Sequence, residues 1–308
     1  MLSRVAENLY WTGRYLERAE TTARLISATT DLLLDLPRQT AFDWQPLVEI
    51  IGAEDDFSVR YPQASESAVM RFLIIEREHP ASIVSALSQA RENLRAARDL
   101  VPREVWEEVN ALYLHVGDSA TEIERRVSRQ KVVSRLVTGG RLVAGWLESG
   151  ISRDAAYDFL RLGTLLERAD MTTRVLDVRT SDLLPETDQA LVPFQTVQWM
   201  SVLKSLGAYQ MYRRHVRTRV AARPVVRFLI QDAAFPRSVR YCLMRMHQRL
   251  DRLPDSREVG DRARTLADRT AERDLRDIGG VALSEFLDLL QIELAKLNAT
   301  IERRYFGH

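Results

Sequence analysis

Cysteine is almost absent from this 308-residue chain: Cys242 is the only one. A single thiol excludes an intrachain disulfide framework and any multi-cysteine metal site, and it points to a reducing, cytoplasmic setting. Long apolar runs are missing as well. No window approaches the roughly twenty uncharged residues that a membrane-spanning helix needs. The opening residues, MLSRVAENLYWTGRYLERAE, carry charge every few positions and lack the apolar core and cleavage site of a signal peptide. Charge of one sign is not in excess either. The 44 basic and 43 acidic side chains leave a formal net charge of +1, so no global field draws in nucleic acid or an anionic membrane. Aromatic residues make up only 7%, which leaves few platforms for base stacking.

Signatures of catalysis are equally scarce. His79, His115, His215, His247 and His308 show no metal-ligand spacing, and no P-loop, dinucleotide-binding glycine pattern or nucleophile elbow occurs, so neither metal nor cofactor is expected. Cys242 lies between Tyr241 and Leu243 in an apolar helical run and reads as a buried, inert thiol. Gly139-Gly140 reads as a helix break. The basic cluster Tyr212-Arg213-Arg214-His215, with Arg217 and Arg219, reads as a solvated helix face or a contact for an acidic partner protein.

What the chain does have is helical periodicity and a repeated segment. Leu2, Val5, Leu9, Thr12, Leu16, Ala19, Ala23 and Ile26 alternate by three and four, with Leu33 a further seven along, the seam of a helix packed on other helices. Further helices are expected over 81–100, 103–128, 130–148, 187–221, 237–253, 256–276 and 281–305, with Pro37, Pro80, Pro102, Pro185, Pro236 and Pro254 in the gaps. No alternating β-branched runs bounded by hairpin turns are present, so the fold class is all-α.

Residues 10–25, YWTGRYLERAETTARL, return 150 positions later as LRLGTLLERADMTTRV, with seven identities in sixteen. Residues 70–87 and 226–243 share Arg-Phe-Leu-Ile, then Pro80/Pro236, Ser82/Ser238 and Leu87/Leu243. Together these predict two tandem repeats of about 150 residues, 1–150 and 151–308, joined near Ser149–Asp154. The two repeats are expected to form one pseudo-two-fold bundle with a shared core.

Gly13, Glu17, Glu20 and Arg24 form one stripe beside the seam, and Gly163, Glu167, Asp170 and Arg174 repeat it. A mid-helix glycine costs about 1 kcal/mol relative to alanine, so its recurrence implies a close backbone approach or room for a ligand. Arg14 and Arg18 can both approach the Glu17 side. Two readings stay open. In one, Glu17 pairs with Arg168 and Glu167 with Arg18, locking the pseudo-symmetry. In the other, the same residues form an anion or carboxamide site. Arg237-Ser238, just after Pro236, adds a second candidate for holding an anion, at a helix N-terminus.

The doubled Leu-Glu-Arg-Ala segment, with Tyr10-Trp11, Gly13-Arg14-Tyr15 and Thr22-Ala23-Arg24 around it, resembles the bacterial Alpha-E family. The likeness extends to Asn93-Leu94-Arg95, Arg98, Trp106 and Phe235-Pro236-Arg237-Ser238-Val239, and so runs the length of the chain. That resemblance implies association with a circularly permuted ATP-grasp protein similar to amide-bond-forming ligases, and with transglutaminase-like proteins. It implies a helical accessory or substrate-presenting subunit of such an amidoligase, with a peptide or amino acid as the presented substrate. Glu17, Arg18, Glu167 and Arg168 are the residues it carries over, with Arg237 and Ser238. The alternatives are an enzyme using Glu17 and Glu167 as acid and base on an amide, or a structural scaffold. The substrate and the oligomeric state are left open.

Overall fold

The opening seam winds into α1, Ser3–Asp35, and its echo into α8, Ala155–Ser181. The computed structural model describes residues 2–35, 43–181, 192–275 and 280–307. Among these the chain is all-α, with fourteen α-helices, one short 3-10 turn and no strand. Between the two long helices come α2 (Gln45–Ile51), α3 (Glu54–Arg60), α4 (Glu66–Ile74), α5 (Ile83–Ala96), α6 (Arg103–Asp118) and α7 (Arg126–Gly150). After α8 follow α9 (Val192–Ser205), α10 (Tyr209–His215), α11 (Ala222–Gln231), α12 (Val239–Leu250), α13 (Arg257–Glu272) and α14 (Val281–Tyr305). None of the described helices is long and apolar enough to cross a membrane.

α1 and α8 cross at the centre, and the other helices are laid around them. α1 packs most extensively on α8 and also meets α5, α7, α9 and α14, while α8 meets α12, α14 and α2. This wrapping changes the expected margin stripe. Gly13, Glu17, Glu20 and Arg24 are all buried, and it is the first seam residue, Leu2, that is exposed. α1 is thus enclosed on nearly every side over its middle turns, which a helix with one apolar face cannot be. A hydrophobic cluster reaching from Ala6 to Phe306 binds the helices together.

Local chemistry sets the helix ends. Ser65, Ser82 and Ser238 cap α4, α5 and α12, their hydroxyls accepting the amides of Ala68, Ser85 and Tyr241 at 3.3, 3.2 and 3.1 Å. Asp154 accepts the amides of Ala156 and Tyr157 at 3.0 and 3.3 Å where the chain turns from α7 into α8. Pro80, Pro102, Pro236 and Pro254 fall between helices, whereas Pro37 and Pro185 lie outside the described residues.

Some expectations differ. The single helix expected over 187–221 is two, α9 and α10, because Gly207 turns the chain at φ 63°; residues 187–191 lie outside the described part. Gly139-Gly140 does not break a helix. Both glycines sit inside unbroken α7, where a Cβ on Gly140 would come within 2.9 Å of the Glu20 side chain. The absence of that carbon lets α7 approach α1.

Candidate functional site

Gly13 and Gly163 bring two helix backbones together. A Cβ on Gly13 would overlap the Leu160 carbonyl oxygen, and one on Gly163 would overlap the Tyr10 carbonyl oxygen. One turn further along each helix stands a glutamate. Glu167 is fully buried, and Glu17 retains 4% of its surface.

Each glutamate is held by the arginine that follows the other. Arg168 Nε donates to Glu17 Oε2 at 2.8 Å, and Arg18 Nε donates to Glu167 Oε1 at 2.6 Å. Each also receives a second guanidinium. Arg237, at the entry to α12, donates to Glu17 Oε1; Arg14 Nε donates to Glu167 Oε2 at 2.7 Å. Arg18 thus meets Glu167 on the opposite helix, as in the reciprocal pairing, and Arg14, which sequence spacing had set on the Glu17 side, joins it there. Around the pairs, Arg24 donates to Glu20 at 2.8 Å, to Thr21 at 3.0 Å and to the Ser205 carbonyl at 3.1 Å. Arg14 and Tyr10 share the Asn298 side-chain oxygen at 2.8 and 2.5 Å.

The electrostatics follow from this enclosure. Burial pushes the Glu17 pKa up, but Arg168, Arg237 and Arg24 outweigh it and hold the carboxyl well below the usual range. The same competition, with Arg18 and Arg14 prevailing, puts Glu167 at about 2. Neither glutamate is poised to exchange a proton near neutral pH. The centre is nonetheless cationic, with Arg14, Arg18, Arg24, Arg161, Arg168 and Arg237 facing Glu17, Glu20 and Glu167. Burial and the neighbouring Arg237 disfavour the charged form of Arg24, an effect that Glu20 and Glu17 partly offset. Arg161 is disfavoured by burial and then by Arg168, and its Nε is buried without a hydrogen-bond partner.

The remaining sequence candidates lie nearby but do different work. Arg174 pairs with Asp170 at 3.0 Å and lies against Gly52. Ser238 caps α12, and its hydroxyl donates to the Asp232 carbonyl. The anion that Arg237 meets is the Glu17 carboxylate. Cys242 is buried beneath the centre, and that burial pushes its thiol up to about 12. Among the described residues no cluster of His, Cys, Asp and Glu could hold a metal ion.

Two openings adjoin the centre. A cavity of about 40 Å³ touches Gly13, Glu17, Glu20, Gly140, Arg161 and Arg168, room for a water or two. A cleft of about 490 Å³ lies on the far side of Arg18, walled by Trp11, Tyr15, Arg77, Ser88 and Gln89. Trp11 and Tyr15 stack at 5.5 Å there. Arg18 spends Nε and one Nη on Glu167 and leaves its other Nη without a protein partner. Sequence reasoning missed Asn298, Arg161 and this cleft. Asn298 and Arg161 have no counterpart in the repeated motif, and the cleft exists only once α5 lies beside α1.

Known proteins place the chain in a wider group. The Alpha-E family model, described as a predicted alpha-helical domain with a conserved ER motif, matches residues 1–306. The chain is 24% identical to the uncharacterized protein Mb2597 of Mycobacterium bovis over 97% of its own length. It is 23% identical to the uncharacterized protein Rv2567 of Mycobacterium tuberculosis over the same share. It spans about a third of the length of these curated relatives, 35% in each case. No solved structure matches it significantly.

Proposed function

The chain belongs to the Alpha-E family, and from that premise we propose that it is a noncatalytic helical subunit that presents a peptide or amino-acid substrate to an ATP-grasp-type amidoligase. On this reading, residues 1–150 and 151–308 are two copies of one unit, and their Glu-Arg pairs are the keystone of the bundle. The observation that carries it is the saturation of both motif glutamates. Glu17 and Glu167 are buried and each is held by two guanidiniums at hydrogen-bond range. A general acid or base must meet its substrate and titrate near the working pH; these carboxylates do neither. The enzyme reading through this pair is therefore disfavoured.

Arg18 supports presentation rather than pure scaffolding. It is 21% exposed and turns a spare guanidinium nitrogen toward the Trp11–Tyr15 cleft, where a carboxylate could meet it and Arg77. The relatives, in which this region is about a third of the chain, carry it beside further sequence with which it could act in cis.

The test is copurification of the chain with a circularly permuted ATP-grasp protein, followed by ATP consumption across a panel of amino acids and dipeptides. Stable association is expected, with turnover that depends on the subunit and falls when Arg77, which lies outside the central network, is replaced by Gln. An ATP-grasp protein that turns over equally well alone, or that does not bind the chain, overturns the proposal.

A further inference from the structure

The near-neutral whole chain conceals a strongly lopsided segment. Between residues 201 and 250 stand Lys204 and ten arginines against one acid, Asp232. Two of these charges are paired, Arg237 with Glu17 and Arg249 with Asp158 at 2.9 Å, while Arg245 hydrogen-bonds only the neutral Gln248 amide oxygen at 2.8 Å. Six more fall close together in the chain. Arg213, Arg214, Arg217, Arg219 and Arg227 are exposed on and around α10 and α11, and Arg240 is half-buried at the start of α12. Among the described residues none of these six meets a carboxylate. Arg217 reaches only the Arg214 carbonyl, Arg240 only the Gln231 carbonyl, and Arg213 lies over the Tyr209 ring at 6.0 Å. Asp232, the nearest acid in sequence, spends Oδ1 on the amides of Ala234 and Phe235 at 2.8 and 2.7 Å.

Elsewhere on the described surface arginines are mixed: Arg60, Arg126, Arg135, Arg153 and Arg262 each hold an acid, whereas Arg125, Arg141 and Arg257 are exposed without one. What sets the α10–α11 segment apart is the density of basic side chains against a single acid. Arg217 also sits at φ 55°, a left-handed backbone that costs a side-chain-bearing residue about 1 kcal/mol.

A cleft of about 750 Å³ opens in this segment, with Arg227 and Arg240 at its rim and Val216, Pro224 and Phe228 in its wall. An apolar wall under a rim of guanidiniums suits an acidic segment that carries an apolar anchor. Nucleic acid is the weaker fit. Tyr212 and Phe228 are buried, and Arg213 lies over one face of Tyr209, so few ring faces are left for stacking bases.

We infer that the α10–α11 face is a docking surface for a glutamate- and aspartate-rich segment of a partner protein, anchored by an apolar side chain in the cleft beside Arg227. It does not depend on which enzyme the chain serves, since it is measured on this chain alone.

The experiment uses fluorescence anisotropy on the full chain at low and physiological salt. The probes are a labelled glutamate dodecapeptide with one central leucine, the same peptide without the leucine, and an oligothymidylate of equal charge. The leucine peptide is expected to bind tightest and to weaken as salt rises. Affinity is expected to fall at least about tenfold in Arg213→Glu/Arg214→Glu and in Arg227→Glu, and to be unchanged in Arg103→Gln, an exposed α6 residue paired with Glu107 that lines neither cleft. Folding of each variant is checked by circular dichroism. Arg213 and Arg214 are exposed outside the core, so that double variant keeps the test decisive if Arg227→Glu unfolds. No binding at low salt, equal affinity of the variants, or tighter binding of the oligothymidylate would overturn the inference.

Discussion

Gly13 and Gly163 each face the backbone of the other's helix, Gly13 against the Leu160 carbonyl and Gly163 against the Tyr10 carbonyl. The contact is between main chains, so no side-chain rotation can make room for a methyl group. Gly13→Ala and Gly163→Ala should each lower stability by about 3 kcal/mol, although alanine gains about 1 kcal/mol in helix propensity. Urea unfolding measures this directly. A stabilised Gly163→Ala would mean that the helices do not cross here.

Glu17→Gln keeps the size of the side chain and removes the charge that Arg168 and Arg237 share. Two buried guanidiniums then lose their counter-ion, at a cost of about 3–5 kcal/mol. Arg168→Met should cost less, since Arg237 and Arg24 still face Glu17. The double variant should fall short of the sum by about 2 kcal/mol. A Glu17→Gln protein of unchanged stability that has lost ligase stimulation would instead assign Glu17 to substrate handling.

The long helices and the Glu-Arg centre were legible because both leave a periodic trace. α1 and α8 show it in the seam and in the doubled Gly-x-x-x-Glu-Arg unit. Helices α2, α3, α4 and α11 span 7 to 10 residues, too few turns to separate from a loop by spacing alone. The partners of Arg14 depend on where α8 and α14 cross α1, a tertiary fact with no local signature. The acid-first pairs Glu20–Arg24 and Asp170–Arg174 needed only the helix itself, and both form.

Acid should unfold the protein earlier than its neutral stability suggests. Unfolded glutamate titrates near pH 4.3 or so, whereas folded Glu167 holds its charge to about 2 and Glu17 to lower pH still. Both folded pKa values are depressed, so their contribution is fully present above the unfolded value and is lost as pH falls through the folded ones. Glu167 alone accounts for about 3 kcal/mol of that loss. Stability measured by urea between pH 7 and 2 should be flat to about 5 and then fall. In Glu167→Gln the acid limb should be visibly shallower.

Asn298 ties α14 to the centre by accepting from both Tyr10 and Arg14. Asn298→Leu fills the same space and strands a buried hydroxyl and a guanidinium nitrogen, costing about 2–3 kcal/mol. Asn298→Asp keeps the acceptor and adds a charge beside Arg14, so it should recover most of that loss. Thermal unfolding of the pair separates an acceptor requirement from a simple packing one.

Arg161 is the arginine of the centre with least to hold it. Its Nε is buried without a partner, and Arg168 repels it at close quarters, while Tyr157 and Glu148 only partly compensate. Removing a charged group from such a place relieves the desolvation of an unsatisfied donor and one like-charge contact. Methionine preserves the long apolar stem, so the wall of the small cavity that Arg161 shares with Leu147 and Leu160 is retained. Arg161→Met should therefore raise stability by about 1 kcal/mol. A second consequence follows for Glu17, which would lose a weak cationic neighbour while keeping Arg168 and Arg237, so its acid titration should hardly move. If Arg161→Met instead destabilises the protein, the attractions of Tyr157, Glu148 and Glu17 outweigh the desolvation of Arg161 and its repulsion by Arg168.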